Sequence, residues 1–287
     1  MDSLLDLLAS RGLEGSIDFV MRHHPLHRLT AGILRRHLLG PVERASFDNF
    51  ARDDQLPAHH WFWDKARSGG IWVEHGVHFF DLFRWWLGEP RSIWATASQR
   101  PSAPGREDRV LAVLDFNGGT KATIYHGFNR PAPMERQSIR LALQRGYLEL
   151  TGWIPMHLTL EAWLTEEEFD RLRTPAINGH YPPLELSFQA EELSRAEREY
   201  FHFNGVDPSG SAPVLRCRLE AAMAAPRREV YKYCIREGLR DLVATILDPA
   251  HRPRVTLGEA REALRLALLA EASARSGHPF TLEMARA

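Results

Sequence analysis

The sequence predicts an α+β fold: an open, mainly antiparallel β-sheet with its helices gathered on one face. Three observations predict it. Between residues 92 and 151, short alternating runs follow one another at intervals too tight for βαβ crossovers. A strongly apolar helix over 68–88 precedes them, and two long helices over 228–247 and 257–275 follow. The composition, 44% hydrophobic and 25% charged, is that of a globular protein, which excludes general disorder. A length of 287 residues is enough for one large domain or two smaller ones.

Taken in order, Asp2–Arg11 reads as an amphipathic helix with Leu4, Leu5, Leu7 and Leu8 on its apolar face and Gly12 as its stop. Ser16–Met21 reads as a short buried strand. Pro25 opens a helix to about Leu39, ended by Gly40-Pro41, and Val42–Ala51 reads as a strand. Ser68-Gly69-Gly70 starts the apolar helix and Gly88-Glu89-Pro90 stops it. Strands are predicted over Ser92–Arg100, Val110–Phe116, Lys121–Phe128, Gln137–Gln144 and Tyr147–Thr151. Asn117-Gly118-Gly119, Pro131-Ala132-Pro133 and Arg145-Gly146 form the turns between them. Residues 153–213 look less regular, with one short helix over Thr165–Leu172 and a loop, Arg173–Pro183, that reads as variable surface or as a lid.

The formal net charge is −1, which leaves no electrostatic footprint for nucleic acid or anionic lipid. No run approaches the roughly 20 apolar residues of a membrane span. The first residues lack the cationic lead and cleavage site of a signal peptide. Cys217 and Cys234 form no CxxC and read as free thiols, which points to a cytoplasmic protein.

The helix Ile71–Leu87 carries the chemistry. Eleven of its 17 residues are large and apolar, yet Glu74, His78 and Asp81 interrupt it. At about 100° per residue these three fall within a stripe roughly 60° wide. Charge inside an apolar helix is costly unless paired or functional. A carboxylate beside an imidazole orients it and raises its basicity, as a general base for a hydroxyl proton requires. The plainer alternative is a buried histidine satisfied by a neighbouring carboxylate. A metal site built on Glu74-His75-x-x-His78 is a weaker one, because His75 and His78 point apart on a regular helix. His23, His24 and His27 read by default as solvated residues at a helix start. The tryptophans around the helix read as core first and as sugar-stacking platforms second.

The run Ser68-Gly69-Gly70-x-x-x-Glu74-x-Gly76-x-His78-x-x-Asp81 resembles the GG-x-x-x-D-x-G-x-H-x-x-D signature of the Gfo/Idh/MocA oxidoreductases, the relatives of glucose–fructose oxidoreductase and inositol dehydrogenase. Arg22-His23-His24-Pro25, Leu38–Val42, Trp61–Asp64, Gly146–Leu150 and Ser273–Gly277 resemble further stretches of that family, so the likeness runs from about residue 1 to 282. It implies an NAD(P)-dependent oxidoreductase acting on a CH–OH group of a sugar, polyol or similar small molecule. His78 matches the proton-transferring histidine, Glu74 the position usually held by an assisting aspartate, and Asp81 the second acidic position. Trp63, Asp64 and Arg22 are the expected substrate contacts. The likeness also implies a homo-oligomer paired through the open sheet.

The family's G-x-G-x-x-G and its catalytic lysine step find no match here, the lysines being Lys65, Lys121 and Lys232. Residues 1–22 are therefore expected to be the remnant helix and strand of a Rossmann domain, and 23–287 the C-terminal substrate-binding and oligomerisation domain. No cofactor-binding or metal residues are expected in this chain. The chain is expected to be a fragment, inactive alone. A non-catalytic sugar-binding or oligomerisation module, and one half of a split enzyme, are the alternatives. With one side of the sheet remnant bare, residues 1–21 are expected to fray or to self-associate, and the Glu74–His78–Asp81 stripe to face open solvent.

Overall fold

A computed structural model describes residues 2–174, 184–203 and 213–282, with the side chains of 200–203 excluded. The architecture is α+β, as the sequence predicts. Ten strands form one sheet: β1 (Val42–Arg52), β2 (Pro90–Gln99), β3 (Glu107–Phe116), β4 (Lys121–Arg130), β5 (Arg136–Leu143), β6 (Gly146–Thr151), β7 (His157–Leu164), β8 (Leu184–Glu192), β9 (Leu215–Met223) and β10 (Phe280–Thr281). Their order is β10-β2-β3-β4-β1-β5-β6-β7-β9-β8. Every neighbouring pair is antiparallel except β1 and β4.

Strand alternation decides which face is covered. In β1, Ala45, Phe47, Asn49 and Ala51 point into the core, while Arg44, Ser46 and Asp48 line an open groove of about 540 Å³ on the other face. Arg140, Tyr147, Glu149, Glu161 and Arg218 extend that open face. It is laced with ion pairs such as Arg140–Glu149 at 2.9 Å.

Helices α1 (Asp2–Arg11), α2 (Pro25–Arg35), α3 (Lys65–Ser68), α4 (Val77–Leu87), α5 (Glu166–Arg173), α6 (Arg195–Phe203), α7 (Arg227–Leu247) and α8 (Leu257–Ser276) complete the chain. None of them, among the described residues, is long and apolar enough to cross a membrane. Helix α8 lies on β2 through a stripe of small residues, Ala260, Ala263, Ala267 and Ala270, which lets the backbones approach. Its ends are specified locally. Thr256 and Glu259 form a reciprocal capping box, and Gly277 stops the helix in the left-handed region at φ +74°. Ser273 Oγ accepts from the Ala95 amide at 2.9 Å and donates to the His278 carbonyl at 2.7 Å, tying the end of α8 to β2.

Four expectations need correction. Ser16–Phe19 is irregular and Val20–His23 is a 3₁₀ turn, so no strand forms there. A strand needs a paired neighbour for its amides, and this segment packs against α7 and α4 instead. Phe19 and Met21 are accordingly 3% and 2% exposed, not bare. Helix α2 stops at Arg35, short of Leu39, in turns that include a positive φ at His37. The region 153–213 holds three further strand and helix segments in addition to α5, namely β7, β8 and α6. The apolar helix is not uniform: α3 is separate, and the residues Trp72–Gly76 make a π turn before α4. Most of the loop read as a lid, from residue 175 to 183, lies outside the described residues.

Candidate active site

The site is built at the start of the apolar helix. Asp64 caps α3 by accepting from the Ala66 amide at 3.0 Å, and Ser68 Oγ accepts from the Gly70 amide at 3.0 Å. Gly69 and Gly70, at φ +77° and +84°, then turn the chain abruptly into the helix. At the far side of the π turn, a Cβ on Gly76 would sit 2.8 Å from the Trp72 ring. The glycine therefore admits Trp72, which is fully buried, beneath the turn. Wide i→i+5 turns of this kind recur at functional sites.

The π turn changes who meets whom. Among the described residues Glu74 makes no hydrogen bond to His78, although its charge still acts on that imidazole. It accepts a hydrogen bond from the neighbouring imidazole, His75 Nδ1, at 2.5 Å. Burial pushes the Glu74 carboxyl up, but the hydrogen bond and charge of His75 outweigh it, and its pKa lies below the ordinary value. The expected Glu74–His78 pairing is thus replaced by Glu74–His75.

His78 is half-buried between two aromatic edges, Phe19 at 5.5 Å and Trp153 at 6.0 Å. Its Nδ1 is buried without a partner. Burial first, and the adjacent His75 second, lower its pKa to about 4, so it stands neutral at physiological pH. A third imidazole, His126, lies fully buried beneath the helix, 5.8 Å from His75. Its Nδ1 lies 3.3 Å from Asn49 Nδ2, its Nε2 has no partner, and burial drives its pKa well below the ordinary value.

Asp81, expected beside His78, points into the core. It is fully buried and binds Arg22 through two contacts, Nε to Oδ2 at 2.8 Å and Nη2 to Oδ1 at 2.7 Å. Arg22 also donates to Glu259 at 2.8 Å and to the Arg254 carbonyl at 3.1 Å. Burial works against the guanidinium charge, and Asp81 and then Glu259 outweigh it, so the Arg22 pKa lies above the ordinary value. The stripe is therefore divided: Glu74 and His78 remain partly open, whereas Asp81 is sealed with Arg22.

The two remaining sequence-derived residues have local partners. Trp63 donates from Nε1 to the Leu56 carbonyl at 3.0 Å and carries the Arg106 guanidinium over its ring. It reaches the cluster only through Phe62, whose ring meets His75 at 6.3 Å. Asp64 is the exposed helix cap described above. Reasoning from sequence missed Trp153 and His126, and weighed His75 only as a metal ligand. Trp153 lies in the β6–β7 connection and meets His75 at 4.6 Å. His126 had a readable signal, since it interrupts the inward alternation Ala122, Ile124, His126, Phe128 of β4. The default for His23, His24 and His27 also changes. All three are buried, and His24 caps α2 through Nδ1, which accepts from the Leu26 amide at 3.2 Å.

Among the described residues no group of three or more His, Cys, Asp or Glu is placed to hold a metal ion. Cys217 and Cys234 are buried, and burial pushes both thiols up to about 12. A dinucleotide needs a glycine-rich turn between a parallel strand and a helix. The described residues contain no such unit, because the one parallel pair, β1 and β4, is separated in the chain by two antiparallel strands. The described residues therefore offer no turn of that kind to a nicotinamide dinucleotide.

Residues 33–149 match the model of the GFO/IDH/MocA C-terminal domain. It is this stretch, 117 of the 287 residues, that is similar to the C-terminal domain of the Gfo/Idh/MocA family. The chain is 26% identical over 103 residues to YteT of Bacillus subtilis, a protein carrying the name of an oxidoreductase, and that match covers 35% of this chain and 24% of YteT. The fold is also that of aldose-aldose oxidoreductase from Caulobacter crescentus, solved with glycerol (TM-score 0.65, 17% identity, 98% of this chain, 68% of that one). Scyllo-inositol dehydrogenase from Lactobacillus casei, solved with NAD(H) and scyllo-inositol, is similar (TM-score 0.61, 14% identity, 96% and 67%). The run that resembles the Gfo/Idh/MocA signature spans two structural units here: the left-handed Gly69-Gly70 corner and the π turn that leads to His78.

Proposed function

We propose that this chain is the substrate half of an NAD(P)-dependent oxidoreductase acting on a CH–OH group of a sugar or polyol, with His78 as the group that exchanges the hydroxyl proton. The observation that carries the proposal is a neutral, half-buried imidazole aligned with the Gfo/Idh/MocA signature and walled by Trp153. A neutral, half-buried imidazole beside an aromatic wall can accept a proton from a carbinol that it meets directly. Glu74, through His75, keeps a negative charge beside the cleft, which favours the imidazolium once formed. Arg22 and Asp81 fix the helix on which His78 rides. Trp63 and Asp64 are proposed as outer substrate contacts at the cleft's rim. Residues 1–22 are proposed as the end of a nucleotide-binding unit and 23–287 as the substrate unit. The hydride acceptor, NAD or NADP, lies beyond what these residues hold, so this chain's part is confined to the proton and to substrate orientation. The charged open face of the sheet is proposed as the homo-oligomer surface, and the cytoplasm as the compartment.

The test is titration of a panel of hexoses and cyclitols into the full chain by calorimetry, with NAD(P)H formation followed in parallel. Binding that His78→Ala abolishes in a folded protein, without turnover by the chain alone, supports the proposal. No binding of any sugar or polyol by the folded chain overturns the substrate site. Turnover by the chain alone overturns the division of labour.

A further inference from the structure

We propose that His75, held by Glu74, reads a second hydroxyl of the substrate, so that the cleft selects vicinal diols over lone alcohols. The inference rests on the proposal that this cleft is the carbinol site. The carboxylate fixes the tautomer: with Nδ1–H donated to Glu74 at 2.5 Å, the lone pair of His75 sits on Nε2. That nitrogen makes no hydrogen bond among the described residues, and the side chain is 25% exposed. The ring is held in a tilted contact by Trp153 at 4.6 Å and edge-on by Phe62 and Phe128 at 6.3 and 5.0 Å, so it is positioned before any ligand arrives.

His78 packs on the same indole at 6.0 Å. Two imidazoles, each partly exposed, therefore share one aromatic wall. A lone alcohol satisfies one of them and strips water from the other, which is unfavourable. A vicinal diol donates to both. The regular-helix geometry assumed from sequence would have pointed His75 away from His78. Both rings nonetheless meet Trp153, His75 at 4.6 Å and His78 at 6.0 Å.

The test uses the full chain with ¹⁵N-labelled histidine, titrated with myo-inositol and with cyclohexanol, which offers one hydroxyl on the same ring. The expected result is that myo-inositol shifts the Nε2 resonances of both His75 and His78, whereas cyclohexanol shifts His78 alone. His75→Phe keeps the ring against Trp153 and removes the acceptor. It is expected to weaken myo-inositol binding about tenfold and to leave cyclohexanol binding unchanged. Glu74→Gln is expected to move the His75 Nδ1 resonance in the ligand-free protein, because the tautomer is no longer held. Shifts confined to His78 with both ligands, or equal losses for both ligands in His75→Phe, overturn this proposal and leave the site standing. No shift at either histidine with either ligand overturns both.

Discussion

The two ends of one helix treat buried charge in opposite ways. At its C-terminal part, Asp81 and Arg22 are sealed together, and Arg84 is held by Glu89 and by the Glu259 carbonyl. At its start, Glu74, His75 and His78 are partly open, and nitrogens of His78 and of His126 below it have no partner. The charged groups of the first part are paired with one another, although ring nitrogens beside them, on His27 and Trp86, are not; at the start of the helix the open carboxylate and imidazoles stand beside unpartnered nitrogens. Satisfied buried charge orients elements. Unsatisfied polar atoms beside an opening are what a ligand can complete. The difference separates a clamp from a site within about two turns of helix.

The largest expected effect strikes the clamp. Asp81→Ala leaves the Arg22 guanidinium buried with only Glu259 as a charged partner, and the expected loss is about 3–5 kcal/mol in chemical denaturation. Arg22→Met combined with Asp81→Leu is expected to recover most of it. If the double variant stays as weak as the single one, the pair does more than satisfy itself.

Acid sharpens the comparison next. Burial, joined at His23 by the charge of Arg254, lowers His23 and His27 from 6.5 to about 4, and both lie near the clamp, with His27 against Trp86 at 5.6 Å. The unfolded chain takes those protons from pH 6.5 downward and the folded chain only near 4, so stability falls as pH drops through that window and is flat above it. Each residue is expected to contribute about 3 kcal/mol of that fall, read from urea midpoints between pH 7 and 4. At the open end, His78 is expected to titrate near pH 4 in a histidine NMR titration.

A smaller effect tests the π turn. Gly76→Ala forces a methyl against Trp72 at 2.8 Å and is expected to cost about 1–3 kcal/mol. At about 2–4 °C per kcal/mol for a chain of this size, the melting temperature falls accordingly. The smallest belongs to Glu89, whose side chain is 53% exposed. Glu89→Gln is expected to change stability by under about 1 kcal/mol, less still at high salt. A large loss there would mean that the clamp extends to the surface.

Alternating runs at short intervals determined the antiparallel core of the sheet, because a strand's side-chain period is a local property. Phe116, Ile124, Leu141 and Leu148 all point inward as that period requires. Helix α8 was legible through Thr256, Glu259 and Gly277, whose capping needs no tertiary partner. The Gly-Gly corner and His78 were legible as a pattern. Three things were not. The sequence cannot announce a π turn, since the wider turn exists only where a bulky neighbour such as Trp72 and a gap such as Gly76 meet. It placed Asp81 in the site because an α-helical wheel does, whereas Arg22, 59 residues earlier, turns it into the clamp. Trp153, from a strand connection, reaches His75 and His78 only once the sheet has folded beneath the helix. Local periodicity determined the elements. The choice between clamp and site is made by contacts between residues far apart in the chain, and only the tertiary structure decides it.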